Sequence, residues 1–146
     1  MDYRIMREQV KILNKAHNRM YEDIREKYNL SLNEILLMIY LYHNPEENTA
    51  KEITNKIKCT KSHISKSVES LYSRGFLEKV IDKEDKKMVH LILTEESKEP
   101  VKEINDRVEY VRNNALNDIP IQDLEITKKT FKKIVENIEE MSKMFE

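Results

Sequence analysis

Residues 49–94 read TAKEITNKIKCTKSHISKSVESLYSRGFLEKVIDKEDKKMVHLILT, and the spacing of the apolar positions within them decides the fold. From Thr60 onward, Ile64, Val68 and Leu71 recur at the interval of one buried helical stripe, and Thr60 itself is a favourable N-cap. Lys61, Ser62, His63, Ser65 and Lys66 fall on the other side, crowded into the first two turns. Small hydroxyls and long cations suit contact with phosphates and base edges in a major groove; on an isolated helix the same face would mean only solvation. The flanking residues favour the first meaning.

Upstream, Ala50, Ile53 and Ile57 mark an apolar stripe on a helix over 49–57, and only Lys58 and Cys59 separate it from Thr60. Helices joined that tightly cross steeply, as in a helix-turn-helix. Downstream, Arg74 and Gly75 end the second helix, and Gly75, the one glycine of the chain, fits a left-handed C′ cap. Residues 76–81 then read as a strand, 82–87 as a charged turn and 88–93 as the returning strand, which makes a wing with cations at its tip. Between Thr49 and His90, ten Lys or Arg stand against six Asp or Glu; that local excess of four leaves minus five for the rest of a chain whose formal charge is −1. A basic module on an acidic body concentrates attraction for nucleic acid where the reading elements sit.

Residues 49–94, and more loosely the whole chain, resemble a MarR-family (multiple-antibiotic-resistance regulator) winged-helix transcriptional regulator. The resemblance is carried by 53–57 in the supporting helix, 60–66 in the recognition helix, 71–77 at its exit, 82–87 in the wing and 91–95 after it. It implies a homodimer on pseudo-palindromic double-stranded DNA, with the recognition helix (about 60–74) in the major groove and the wing (82–87) in the minor groove. Under this resemblance the DNA-binding set is Thr60, Lys61, Ser62, His63, Ser65, Lys66, Asp85, Lys86 and Lys87, with Asp85 orienting one of the wing lysines through an ion pair. Repression is the family's usual outcome. A small aromatic effector is also implied, held where the first, second and fifth helices meet the DNA-binding lobe; His17, Met20, Tyr21, Met38, Tyr40 and Tyr110 are the residues placed to line such a cleft, although Met and Tyr at helical spacing also make plain core. Three departures from the family pattern stand out. Lys86 and Lys87 replace wing arginines, and lysine is a hydrated point charge rather than a planar fork. Lys58 stands where glycine is frequent, so a left-handed residue there would cost about 1–2 kcal/mol. Pro100 falls in the first turns after Thr94, where it is expected to delay or bend the helix.

The remaining sequence reads as a mainly α scaffold in a single domain of 146 residues, 39% hydrophobic, with three Pro. A first amphipathic helix is expected over 3–27, a second over 31–44 opened by Ser31 with Glu34 three residues on, a long helix after Thr94 broken near 118–120, and a last helix over 121–145. The first and last helices carry more apolar surface than the winged helix can cover: residues 1–30 and 100–146 are therefore expected to form a two-fold dimerisation bundle around a reading lobe at 31–94. No repeat, low-complexity linker, signal peptide or bilayer-length apolar run is legible, so no membrane partner is expected and the cytoplasm is the expected compartment.

Other chemistries find less support. Cys59, the single cysteine, precludes an internal disulfide; it reads as a buried small hydrophobe or, next to Lys58 and a helix N-terminus, as a redox sensor. His17, His43, His63 and His90 are scattered without metal-ligand spacing, even if His43 with Glu46 or Glu47 allows a partial site, and neither a phosphate loop nor a nucleophile motif is present. No cofactor, metal or enzymatic activity is expected. The competing reading is a winged-helix protein–protein adaptor, whose sign would be an uncharged or acidic recognition face.

Overall fold

The computed structural model of the chain describes residues 3–57 and 60–145. Lys58 and Cys59, and with them the expected strained turn and the redox reading, lie outside the described residues. Two compact units divide the chain, Met1–Glu109 and Tyr110–Glu146.

In the first unit the order is α1 (Tyr3–Met20), α2 (Glu22–Tyr28), α3 (Leu32–His43), α4 (Ala50–Ile57), α5 (Lys61–Ser73), β1 (Leu77–Ile81), β2 (Val89–Leu93), a 3₁₀ turn (Glu95–Ser97) and the start of α6 (Lys98–Ala115). The strands pair antiparallel with Leu77 opposite Leu93 and Ile81 opposite Val89. α3 is the centre, as its nearly all-round apolar sequence dictates: Ile35, Leu37, Met38 and Leu41 are buried, and α4, α5 and β2 pack on it. Its start is a complete capping box. Ser31 Oγ accepts the Glu34 N–H at 3.3 Å, and a Glu34 carboxylate oxygen accepts the Ser31 N–H at 2.6 Å. α4 opens the same way, with Glu52 accepting from both the backbone and the hydroxyl of Thr49.

The end of α5 follows from Gly75, which adopts φ +77°. The Phe76 N–H bonds the Leu71 carbonyl and the Gly75 N–H that of Tyr72, the paired closure of a Schellman motif. A Cβ at Gly75 would meet nothing within 4 Å, so glycine is required by backbone conformation alone, at about 1 kcal/mol over alanine. Arg74, the C-cap, donates to the carbonyls of Tyr28 and Asn29, lies 3.7 Å from Glu34 and stands over the Phe76 ring. Burial raises the Glu34 carboxyl, but hydrogen bonds from Ser70 and Ser31 and the Arg74 charge outweigh it and hold the group below its ordinary range. Recognition-helix end, α2–α3 turn and α3 start are thus one connected piece.

The first helix is not continuous to Lys27. It breaks at Tyr21, where α1 ends and α2 begins, and the break is pinned from far along the chain. Arg107 of α6 donates to the Met20 carbonyl and forms a bidentate pair with Asp23 at 2.6 and 3.1 Å. One guanidinium therefore satisfies an orphan carbonyl at the end of α1 and a carboxylate in the first turn of α2. Pro100 neither delays nor interrupts α6, which begins at Lys98. The proline sits in the first turn, where an N–H has no helical partner to lose, and the 3₁₀ turn at Glu95–Ser97 leads into it.

In the second unit α6 ends at Ala115, Asp118 adopts φ 59°, and α7 (Ile121–Ser142) starts after Pro120 and closes in a 3₁₀ turn (Lys143–Phe145). No residue of α7 is buried; Phe131, Ile138 and Met141 are exposed on it and Phe145 in the 3₁₀ turn after it. No helix among the described residues is long and apolar enough to cross a membrane.

Candidate nucleic-acid interface

α5 sits as its sequence requires. Ile64, Val68 and Leu71 are buried against α3 and α4, together with Ser67, whose inward position the periodicity did not single out. Thr60 caps the helix, its hydroxyl accepting the His63 N–H at 3.4 Å. Lys61, Ser62, His63, Ser65 and Lys66 are all exposed. They occupy two sides of a ridge. Lys61 and Ser65 border a groove of about 790 Å³ formed with Lys51 and Asn55 of α4 and Lys79 and Lys87 of the hairpin, floored by Ile64, Val68 and Leu91. His63 and Lys66 border a smaller cleft of about 260 Å³, with Ser31, Asn33 and Glu34 at the start of α3. A helix standing proud between two recesses has the relief of an element that enters a major groove.

The hairpin tip is built by short carboxylate turns. One Asp82 oxygen accepts the N–H groups of Glu84 and Asp85 at 2.8 and 2.7 Å, and an Asp85 oxygen accepts the Lys87 N–H at 2.9 Å. These backbone donors, first Asp85 and then Glu84, with the His90 ring beside them, hold the Asp82 carboxyl below the ordinary carboxylate range. Asp85 grips Lys87 through the backbone N–H, not through the ion pair expected of it, and so fixes the main chain from which the side chain projects. Lys83, Lys86 and Lys87 are exposed at the tip.

Sequence reasoning missed three contributors. Lys51 lies on the outer side of a helix read only for its apolar stripe. Lys79, hidden in a strand pattern, faces the groove while pairing with Glu69 at 2.6 Å and lying over the Tyr72 ring. The third is a strap. Thr49 bridges His90 in antiparallel fashion, and the Leu91 N–H donates to the Asn48 carbonyl at 3.0 Å, tying the wing to the loop before α4.

The residues expected to line an effector cleft have mixed surroundings. Tyr21 and Met38 belong to the buried core, Met20 and Tyr40 pack against it, and the rings of His17 and Tyr21 meet edge-on at 5.1 Å. The Tyr40 hydroxyl donates to Glu47 at 3.2 Å. Tyr110, in the second unit, is exposed.

Comparison with known proteins converges on this architecture. The family described as transcriptional regulator SarA/Rot matches residues 19–104. The HTH-type transcriptional regulator SarU of Staphylococcus aureus strain COL is 30% identical over 97 residues, which are 64% of this chain and 39% of SarU; the chain thus spans about two-fifths of the length of that relative. Among solved structures, S. aureus MepR in a DNA complex aligns with TM-score 0.79 and 13% identity, covering 89% of this chain and 94% of that one. A MarR-family regulator from Listeria monocytogenes complexed with 26mer DNA aligns with TM-score 0.75 and 19% identity over 90% and 87%. At such identities the structural likeness speaks to the fold.

Proposed function

Because the chain belongs to the SarA/Rot family of transcriptional regulators, built on the MarR-like winged helix, we propose that it is a sequence-specific DNA-binding regulator acting as a homodimeric repressor on a pseudo-palindromic operator. The observation that carries this reading is the joint exposure of Lys61, Ser62, His63, Ser65 and Lys66 on a ridge beside a hairpin whose cationic tip is fixed by its own carboxylates. α5 enters the major groove, with Lys61, Ser62 and the helix start on phosphate and His63, Ser65 and Lys66 at base edges; Lys86 and Lys87 enter the minor groove. A protein–protein adaptor would be expected to carry a neutral or acidic face here, and this one is basic.

Residues 31–94 serve as the reading lobe, while 1–30 and 100–146 pair two copies. Supporting the pairing, α1 leaves Ile5, Ile12 and Leu13 exposed at 52%, 66% and 67%, and α7 leaves Phe131, Ile138 and Met141 exposed at 54%, 45% and 58%. Apolar surface on that scale is unusual for a monomer. Release by a small aromatic molecule at His17, Met20, Tyr21, Met38 and Tyr40 belongs to the same proposal; it requires a few kcal/mol of differential affinity between DNA-competent and incompetent dimers.

The test is the wing. Lys87→Ala removes a cation but keeps the N–H that Asp85 holds, so it is expected to weaken operator binding and to lower the slope of log affinity against log salt by about 0.9 per subunit. Fluorescence anisotropy over a salt series reads both quantities. Unchanged affinity and slope would take the wing out of the mechanism.

A further inference from the structure

His90 sits where the wing meets the body, and its ring touches a different element on each side. Nδ1 is 2.5 Å from Asn48 Oδ1 in the loop before α4, and Nε2 is 3.1 Å from Asp82 Oδ2 at the start of the wing turn. The amide orientation of Asn48 is fixed independently. Its Nδ2 lies 2.8 Å from the Pro45 carbonyl, which can only accept, so the oxygen must face the ring. The ring nitrogens therefore confront an amide oxygen and a carboxylate oxygen, both acceptors.

A neutral imidazole has one N–H and one lone pair, so it can satisfy only one of these partners and sets its lone pair against the other. Only the doubly protonated ring donates to both. The charged groups facing it are Asp82 from the wing and Glu52 from α4, both anionic, and Asn48 from the loop completes the shell. Glu52, whose carboxyl is lowered chiefly by hydrogen bonds from Thr49, and Asp82 both lie below the ordinary carboxylate range, so neither titrates where histidine does. The second oxygen of Asp82 is the one that accepts from Glu84 and Asp85, so whatever holds Asp82 also holds the tip that carries Lys86 and Lys87.

We infer that His90 is the positioning residue of the wing and that its doubly protonated ring is the clasp, which makes the order of the hairpin dependent on pH. The clasp is complete while the ring carries both protons. It opens when one of them leaves toward alkaline pH, because one of its two hydrogen bonds is lost with the proton. The consequence for DNA rests on the reading of the wing given above: operator grip weakens toward alkaline pH through the wing, in addition to any effect of His63 on the recognition helix.

Amide exchange followed by NMR between about pH 5.5 and 8.5 tests the clasp without DNA. Protection factors of the Leu91 and Asp82 amides, whose acceptors are Asn48 and Met88, are expected to fall about tenfold to a hundredfold as the His90 ring loses its second proton, the worth of one charge-assisted hydrogen bond. In His90→Gln that step disappears. In Asn48→Asp, which places a carboxylate against Nδ1, the step moves to higher pH; this variant keeps the test open if His90→Gln folds poorly. Protection that is indifferent to the ring titration, or a step that survives in His90→Gln, overturns the clasp. Operator affinity compared across the same pH range in wild type and His90→Gln separates the two layers, since His63 is present in both. A wing that follows the His90 proton while affinity differs in neither slope nor size supports the clasp and removes the wing from DNA recognition.

Discussion

Phe131→Asp is expected to convert the proposed dimer into a folded monomer that sediments at 17.5 kDa at micromolar concentration and has lost at least about a hundredfold in operator affinity. Phe131 lies on α7 on the same side as Leu124, two turns before it, and as Ile134, Ile138 and Met141, which follow at steps of three and four residues, a stripe that Phe145 extends into the closing 3₁₀ turn. In the chain alone Phe131 is 54% exposed, and what would cover it in the proposed assembly is a second copy. A two-fold interface counts each substitution twice. Removing an aromatic anchor costs about 2–4 kcal/mol per copy, and an unpaired carboxylate in apolar surroundings adds to that. The sum, roughly 6 kcal/mol or more, is about four decades in the dimer dissociation constant. Affinity for DNA follows because two half-sites held by one body become two independent, weaker encounters. Glu125→Ala on the same helix serves as the control and should leave the mass unchanged. A wild-type chain that already sediments as a monomer would remove the basis of this prediction.

The second large effect is on folding. Leu71→Ala is expected to destabilise the protein by about 2–5 kcal/mol, a substantial part of the stability of an ordinary domain. Leu71 is fully buried, and its carbonyl accepts the Phe76 N–H that closes α5. The truncation leaves a cavity beneath the recognition helix at the point where the chain turns into the wing. Urea denaturation measures it: the midpoint should drop with an unchanged slope. Lys61→Ala, ten residues before Leu71 on the same helix but on its exposed side, should leave the midpoint nearly where it was, since exposed substitutions rarely move stability beyond half a kcal/mol or so. A loss below about 1 kcal/mol for Leu71→Ala would contradict the packing described for α5.

What could be read from the sequence shares a physical cause. The Thr60 cap, the Ser31–Glu34 box, the left-handed Gly75 and the stripe of Ile64, Val68 and Leu71 are decided within one or two turns of chain, where side chain and backbone meet regardless of the rest of the fold. The exposed face of α5 and the cationic tip were legible for the same reason. The break at Tyr21 was not, because no proline or glycine marks it and Arg107, which pins it, lies on α6. The strap from Asn48 and Thr49 to His90 was equally hidden, since one bridge and a few side-chain bonds across some forty positions leave no periodic trace. Lys51 and Lys79 were passed over because their elements were read for the residues that fold them, while the groove they share exists only once α4 and the hairpin are brought together. At Asp85 the contact differs from the one expected: a short carboxylate in a tight turn reaches the nearest backbone N–H before it can orient a long lysine side chain.

The central claim is that two copies present two α5 ridges and two wings to one duplex, and hydroxyl-radical footprinting on genomic fragments retained by the purified protein tests it most directly. The account predicts two protected patches related by a dyad, their centres about 10 bp or a multiple of it apart, with minor-groove protection on their flanks that fades in Lys87→Ala. A single patch without two-fold symmetry, or diffuse protection that moves with any sequence, would contradict it.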